Sequence, residues 1–208
     1  MTTPPTTTTP RVAALAPPYS GPVAAALERI MPEGVPPLAL FRTLAVNERV
    51  FLRVMAGGLL DRGSIGLRDR EIVIDRACAR CGSEYEWGVH VALFAARVGL
   101  TREQVAATRG DEATATAFPP RERLLLRLVD ELHDGAQVSD DLWAALCREW
   151  SEEQLIELVA LTGFYHLISF VTNALRVPLE AFGARFPRAS RDGADDRRSP
   201  PASPSRTG

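Results

Sequence analysis

The sequence contains no lysine, so every basic residue apart from its histidines is an arginine. Without a lysine amine, the chain cannot form a Schiff base with a carbonyl substrate or with pyridoxal phosphate. The phosphate-binding lysine of a P-loop is missing too, and no glycine-rich dinucleotide-binding motif occurs. These absences exclude several classes of cofactor-dependent enzyme, and we expect a protein that needs no cofactor.

The sequence is also poor in net charge, in cysteine and in long apolar runs. Its formal net charge is −2 with the arginines scattered, which argues against a nucleic-acid partner. No run approaches about eighteen apolar residues, and no basic segment followed by an apolar run opens the chain. We therefore expect no membrane partner and a cytoplasmic location, where Cys78, Cys81 and Cys147 would stay reduced.

The composition indicates one folded domain between two tails. A chain of 208 residues with 46% hydrophobic content can bury a sizeable core. Residues 1–10 and 188–208 are rich in proline, threonine, serine and charge, and such segments bury too little apolar surface to become ordered. The sequence predicts a helical domain over residues 11–187 and disordered tails on either side.

Apolar residues recur at every third or fourth position, and alternating runs are scarce, which predicts an all-α protein. Thr101 with Gln104, and Ser151 with Gln154, match the capping box at the start of a helix. The last predicted helix is apolar on nearly every face, as is typical of a core helix or a subunit interface. The predicted helices are Val23–Met31, Pro37–Val46, Glu48–Leu60, Leu67–Cys81, Glu84–Val98, Arg102–Thr108, Pro120–His133, Asp140–Glu149 and Glu152–Arg176.

The decapeptide CGSEYEWGVH, residues 81–90, gathers a thiol, two carboxylates, a phenol, an indole and an imidazole. Gly82 can end one helix in the left-handed conformation, and Ser83 can cap the next. Ser83 and Glu86 match the capping box, but Glu86 also lies four residues before His90, on the same helix face. Glu86 therefore either closes the helix start or contacts the imidazole.

An acidic residue beside His90 would suit proton transfer. A buried carboxylate raises the pKa of an imidazole and selects one of its tautomers. Glu86 on the same helix and Glu71 on the preceding one are the candidate partners. The alternative is a hydrogen-bonded core histidine without a chemical role.

Cys78 and Cys81 form a C-x-x-C pair at the end of a predicted helix. This spacing suits a redox dithiol or half of a zinc site. No second cysteine–histidine pair with ligand spacing follows, so we expect no metal. The negative end of the helix dipole at a C-terminus disfavours a thiolate. Two interpretations stay open: a redox pair, or two buried cysteines that act as small apolar side chains.

The stretch Arg70–Leu100 resembles the carboxymuconolactone decarboxylase family, whose all-helical fold is shared with the AhpD-like alkylhydroperoxidases. In the peroxidase branch, a glutamate precedes a C-x-x-C pair and then a histidine. The same register here gives Glu71, then Ser83 and Glu86 in place of the cysteines, then His90. The retained acid and imidazole imply the decarboxylase side of the family, in an AhpD-like helical bundle.

The resemblance implies a lyase-type enzyme acting on a small carboxylated or lactone-like molecule. His90 is expected to be the general acid and base, tuned by Glu86 or Glu71, with Tyr85 donating a hydrogen bond to a substrate oxygen. The polar residues of the last helix can instead be core groups whose hydrogen bonds are satisfied within the protein. Trp87 can instead pack in the core without contacting substrate. The residues expected to contact substrate are Ser83, Trp87, Tyr165 and His166.

Two other functions stay open on the same scaffold. One is an AhpD-like alkylhydroperoxidase, with peroxiredoxin activity through Cys78 and Cys81. The other is a non-catalytic protein that binds a small molecule or supports assembly. The family resemblance also implies a homotrimer or homohexamer, with the last helix as the buried contact. His133, followed by Asp-Gly, is expected to be a solvated helix end.

Overall fold

The computed structural model describes residues 9–32, 34–59, 61–110 and 114–186. These residues form nine α-helices and contain no strand, which confirms the all-α prediction. Apart from Thr9 and Pro10, the predicted tails at 1–10 and 188–208 lie outside the described residues.

Each predicted helix is present, with ends that differ by a few residues. A π-helix at Val91–Ala95 continues directly from α5, and a short 3-10 helix at Thr114–Ala117 precedes α7. Neither was predicted, because both are local departures from the ordinary helical repeat. The helices are α1 (Gly21–Ile30), α2 (Ala39–Leu44), α3 (Glu48–Gly57), α4 (Leu67–Arg80), α5 (Glu84–His90), α6 (Arg102–Ala107), α7 (Pro120–Gly135), α8 (Asp140–Leu146) and α9 (Glu152–Leu175).

The predicted capping signals are confirmed at two helix starts. Thr101 with Gln104, and Ser151 with Gln154, each form the reciprocal pair of hydrogen bonds of a capping box. These pairs satisfy N–H groups that have no partner inside the helix. They fix where α6 and α9 begin.

Helix α4 lies at the centre of the bundle. It packs against α5, α7 and α9, and Ile72, Val73 and Ile74 on successive faces are fully buried. Full burial of such a side chain stabilises the fold by about 1.5–3 kcal/mol. Polar residues of α4 are therefore surrounded by protein as well.

Ion pairs tie α4 to α7 at two levels. Arg76 makes two 2.8 Å hydrogen bonds to Asp130, and Arg121 reaches Asp69 with two bonds of 2.9 and 2.7 Å. The indole of Trp150 also donates to Asp69, at 2.8 Å. These bidentate pairs are partly buried, and each holds its two side chains in one geometry. They therefore help to fix the rotation of α4 and the direction in which its other acids point.

Helix α9 has one buried face and one exposed apolar face. It packs on α4, α5 and α7, yet Ile156, Leu167 and Phe170 are 71%, 44% and 63% exposed. Within the described ranges, α9 alone is long and apolar enough to cross a membrane, a test that core helices of soluble proteins also pass. The predicted apolar character of this helix is confirmed, and no other described residue covers its exposed face.

Candidate active site

The site is built at the corner between α4 and α5. Gly82 ends α4 with a φ of +63°, in the left-handed region that favours glycine. The Ser83 hydroxyl caps α5 by accepting the Glu86 N–H at 3.4 Å, and it also contacts the Thr172 hydroxyl of α9 at 2.8 Å. The predicted roles of Gly82 and Ser83 in forming the corner are confirmed.

Glu86 completes only half of the predicted capping box. Its backbone N–H bonds to Ser83, but its carboxylate Oε1 lies 3.5 Å from Nε2 of His90. The helix start therefore uses the backbone of Glu86, while the side chain faces the imidazole one turn later.

The imidazole of His90 meets a second acid across the corner. Its Nδ1 donates to Oε2 of Glu71 at 2.7 Å, and its Nε2 lies 3.0 Å from the hydroxyl of Tyr165 on α9. All three side chains are at most 3% exposed. We call His90, Glu71, Glu86 and Tyr165 the histidine cluster.

The two carboxylates decide the protonation of His90. Burial alone would disfavour a charged imidazole, but hydrogen bonds to Glu71 and Glu86 raise the pKa of His90 to about 10. At neutral pH the imidazole is therefore a cation that donates from both nitrogens. Burial raises the pKa of Tyr165 well above its ordinary value, so its hydroxyl stays protonated.

Asp75 is a further buried acid near this cluster, which the sequence analysis did not single out. It lies one turn after Glu71 on α4 and is 1% exposed, and its Oδ1 has no hydrogen-bond partner among the residues that the structure describes. Burial raises the pKa of Asp75 well above its ordinary value, although the His90 charge opposes this. Burial therefore favours the neutral form of Asp75.

Arg70 and Phe94 flank the histidine cluster and were not predicted either. The Phe94 ring stacks on His90 with centroids 5.4 Å apart, and the Arg70 guanidinium lies 5.8 Å from the Phe94 centroid. Arg70 also bonds the other oxygen of Glu71, at 2.9 Å. Phe94 belongs to the π-helix that follows His90, a type of irregularity often found at functional sites.

Tyr85 does not join the histidine cluster, contrary to expectation. Its hydroxyl donates to Glu180 at 2.7 Å and accepts the Leu40 N–H at 3.0 Å. It packs in a second hydrophobic cluster with the N-terminal helices. The reason is geometric: residues adjacent in an α-helix point in different directions, so Tyr85 and Glu86 cannot share a face.

Trp87 packs rather than facing His90. Its indole N–H donates to the Thr108 hydroxyl at 3.0 Å, and its ring lies 5.1 Å from that of Phe186. With 3% exposure, Trp87 belongs to the main core. Its expected contact with substrate has no support in this geometry.

The two cysteines of the C-x-x-C pair lie in different surroundings. Cys78 is fully buried in the main core, and burial raises the pKa of its thiol well above the ordinary value. Cys81 is half-buried, and burial raises its pKa as well. Since the thiolate is the reactive form, both environments oppose the redox alternative.

His166 also lies apart from the histidine cluster. Its Nε2 is 2.9 Å from Nδ1 of His133, and the same nitrogen of His133 lies 3.9 Å from Sγ of Cys81. His133 lies in the last turn of α7, at a helix end as expected, and it is half-buried against this neighbour rather than fully solvated. Tyr165 and His166, adjacent on α9, reach two separate groups of side chains.

The described residues outline a cleft of about 420 Å³ beside α1. None of its lining residues belongs to the histidine cluster, so the expected recess beside His90 is not this cleft. Glu86, at 7% exposed, is the least buried member of the histidine cluster. The cleft is lined by Tyr19, Ala24, Leu27, Glu28, Met31, Pro32, Gly34, Val35 and Pro37.

Comparison with known protein families gives a match over part of the chain. Residues 48–131, which hold Glu71, Glu86 and His90, match the carboxymuconolactone decarboxylase family. A search of curated proteins finds no match to this chain.

Solved structures share the fold over most of the chain. An uncharacterized peroxidase-related protein from Silicibacter sp. TM1040 is 15% identical with a TM-score of 0.71, over 85% of this chain and 96% of that one. A variant of the debrominase Bmp8, in complex with 2,3,4-tribromopyrrole, is 20% identical with a TM-score of 0.65, over 82% and 92%.

A third neighbour carries the alkylhydroperoxidase AhpD core. This peroxidase-related protein from Ralstonia eutropha JMP134 is 17% identical with a TM-score of 0.57, over 76% of this chain and 85% of that one. At such identities the likeness shows the fold. The chain therefore has an AhpD-like fold, and its residues 48–131 match the carboxymuconolactone decarboxylase family.

Proposed function

We propose that this chain is an enzyme that acts by proton transfer on a small carboxylated or lactone-like molecule, without a cofactor. The observation that carries the proposal is the buried pair of His90 and Glu71, joined at 2.7 Å. A histidine held in one orientation by a carboxylate is a common general acid and base. Its raised pKa of about 10 keeps a proton ready for transfer at neutral pH.

The two nitrogens of His90 have different roles in this proposal. Nδ1 stays bonded to Glu71, which orients the ring. Nε2, which faces Glu86 and Tyr165 at 3.5 and 3.0 Å, gives up the proton. The Tyr165 hydroxyl can donate a hydrogen bond to a substrate oxygen, and Glu86, the less buried of the two, can relay a proton to the imidazole.

The chemical step proposed here is a decarboxylation. The bond between the carboxylate carbon and the substrate breaks, carbon dioxide leaves, and the electron pair moves into a conjugated carbonyl to form a dienolate. Nε2 of His90 then protonates that dienolate on carbon, and the neutral imidazole regains a proton from solvent by way of Glu86. Arg70, a cation beside Phe94, is the group best suited to attract the substrate carboxylate.

A thiol peroxidase is the second candidate and has less support. Ser83 and Glu86 occupy the positions of the two redox cysteines in the family register. The remaining pair, Cys78 and Cys81, begins with a thiol buried in the core. A small cyclic substrate agrees better with a fold in which the debrominase Bmp8 is complexed with 2,3,4-tribromopyrrole.

Kinetics on a panel of unsaturated lactone acids test the proposal, with release of carbon dioxide and uptake of solvent deuterium as readouts. We expect His90→Gln to lower turnover by about 10²–10⁴-fold, the usual contribution of general acid–base catalysis. The double variant Cys81→Ser/Cys147→Ser, which keeps only the core thiol, should retain full activity. Normal turnover in His90→Gln would overturn the proposal. Loss of activity in the double cysteine variant would overturn it as well.

We also propose that copies of the chain associate through α9, as a homotrimer or homohexamer. Six of the exposed residues of α9 follow a spacing of alternately four and three positions, which is the seam spacing of packed helices. Large exposed apolar residues on one face commonly mark a protein interface. The seam consists of Ile156, Ala160, Gly163, Leu167, Phe170 and Ala174.

A further inference from the structure

Three side chains of the metal-binding type meet away from the histidine cluster. Cys81 follows the end of α4, His133 lies in the last turn of α7, and His166 lies in α9. One donor atom from each lies within 4.8 Å of the other two. The individual separations include 2.9 Å between the two imidazole nitrogens and 3.9 Å between the sulfur and the His133 nitrogen.

These separations suit a tetrahedral zinc ion. Zinc lies about 2.3 Å from a thiolate sulfur and about 2.0–2.1 Å from an imidazole nitrogen. In a tetrahedron these bond lengths place two nitrogens about 3.3 Å apart, and a nitrogen and a sulfur about 3.6 Å apart. The 2.9 and 3.9 Å separations therefore need changes of only a few tenths of an ångström. The Cys81 sulfur and the His166 nitrogen lie within 4.8 Å, so closing this third separation to about 3.6 Å takes at most about 1.2 Å, within the reach of side-chain rotations.

The hydrogen bonding of His166 prepares it to bind a cation. Its Nδ1 donates to the backbone carbonyl of Thr162 at 2.8 Å. This bond puts the proton on Nδ1 and leaves the lone pair of Nε2 directed at His133 and Cys81. A histidine ligand is typically held in just this way, by a bond from its other nitrogen to a carbonyl or carboxylate.

The electrostatic surroundings permit a cation. The charge of Arg80 lies close enough to His133 to influence its imidazole. Arg80 is itself paired with Asp130 and Asp134, which balance its charge. The three ligand side chains are half-buried rather than enclosed, so an ion can enter from solvent.

We propose that Cys81, His133 and His166 bind one Zn²⁺ or a similar borderline-soft divalent ion, with a fourth position open to water or another small ligand. One thiolate and two imidazoles favour zinc over magnesium or calcium, which prefer oxygen ligands. The bound ion would join α4, α7 and α9. This site is independent of the proton-transfer proposal, because it shares no residue with the histidine cluster.

Metal titrations of the full-length chain, freed of metal by a chelator, test the site. We expect one Zn²⁺ per chain by calorimetry, and Co²⁺ to show a thiolate-to-metal absorption band. Loss of a group that merely orients a ligand costs about 10–100-fold in affinity, so Cys81→Ser, His133→Gln and His166→Gln should each cost about 100-fold or more. Cys147→Ser, which removes an exposed thiol elsewhere, should bind like the unchanged chain.

A second readout keeps the test independent of folding defects. In the unchanged protein, Zn²⁺ should slow alkylation of Cys81 at least tenfold, while Cys147 continues to react at its original rate. In His166→Gln this protection should disappear. Absence of stoichiometric Zn²⁺ binding, or equal affinity in Cys81→Ser and the unchanged chain, would overturn the proposal.

Discussion

Nδ1 of His90 lies 2.7 Å from Oε2 of Glu71, and neither side chain is more than 3% exposed. This relationship joins α4 to α5 and sets the charge of the imidazole. Its removal should therefore change the chemistry of His90 before it changes the fold.

Glu71→Gln keeps the shape of the acid but removes its charge. We expect the pKa of His90 to fall, because one of the two carboxylates that raise it is lost. Turnover should decrease by about 10²-fold or more, and the alkaline limb of the pH–rate profile should move to lower pH. Glu131→Gln, a change on α7 outside the histidine cluster, is the matched control. An unchanged alkaline limb in Glu71→Gln would contradict this role of the acid.

The stability of the protein should fall as the pH rises above neutrality. The pKa of His90 is about 10 in the folded state against an ordinary value of 6.5, so folding binds a proton between these values. The contribution of the protonated His90 to the free energy of unfolding is complete below about pH 6.5. It is lost as pH rises through about 10, by up to about 1.4 kcal/mol per pH unit. Asp75, whose pKa is also raised, contributes with the same sign, from its unfolded pKa upward.

Urea unfolding at pH 6, 7.5 and 9 measures this dependence. His90→Gln removes the titrating imidazole, so its stability should vary less over the same range. A steeper or unchanged dependence in His90→Gln would show that the proton is bound elsewhere.

Gly88→Ala should loosen the segment that follows α9. A Cβ at Gly88 would overlap the backbone carbonyl of Ala184, whose N–H donates to the Gly88 carbonyl at 2.9 Å. We expect a loss of about 1–3 kcal/mol in the free energy of unfolding, as is usual for overpacking. Limited proteolysis near Arg185 should also become faster.

Gly57→Ala is the control for this substitution, since a Cβ there meets no atom within 4 Å. It should leave proteolysis unchanged. Equal behaviour of the two alanine variants would show that the close approach at Gly88 is unimportant.

Phe170→Glu should disrupt self-association, because it places a charge in the exposed seam of α9. Light scattering on the unchanged chain should give the mass of a trimer or hexamer, and the variant should give a smaller mass. Trp143→Glu alters a residue on α8 that is 42% exposed and lies outside the seam, so its mass should not change. A monomer of the unchanged chain would contradict the proposed assembly.

The sequence predicts the helices well because their signals are local. Periodicity identifies each helix, and the capping boxes at Thr101 and Ser151 locate two of the starts. The approach of Glu86 to His90 follows from helical spacing alone. The approach of Glu71 depends on how tightly the chain turns at Gly82, which the left-handed glycine permits.

The misplaced and missed residues depend on information that is not local. Helix geometry alone predicts that Tyr85 and Glu86 point in different directions. It does not predict the partner of Tyr85, because Glu180 lies 95 positions away in the sequence. Phe94 contacts His90 from a π-helix, and no sequence pattern predicted that helix. The Cys81, His133 and His166 group comes from three helices, so no ligand spacing in the sequence could reveal it.

Nuclear magnetic resonance of the chain with ¹⁵N-labelled histidine tests the central claim most directly, since the two ring nitrogens report the protonation of His90. Assignment by comparison with His90→Gln isolates its signals from those of His133 and His166. We expect His90 to be doubly protonated at pH 7.5 and to titrate near pH 10. A neutral imidazole at pH 7.5, with a pKa at or below 6.5, would contradict the account.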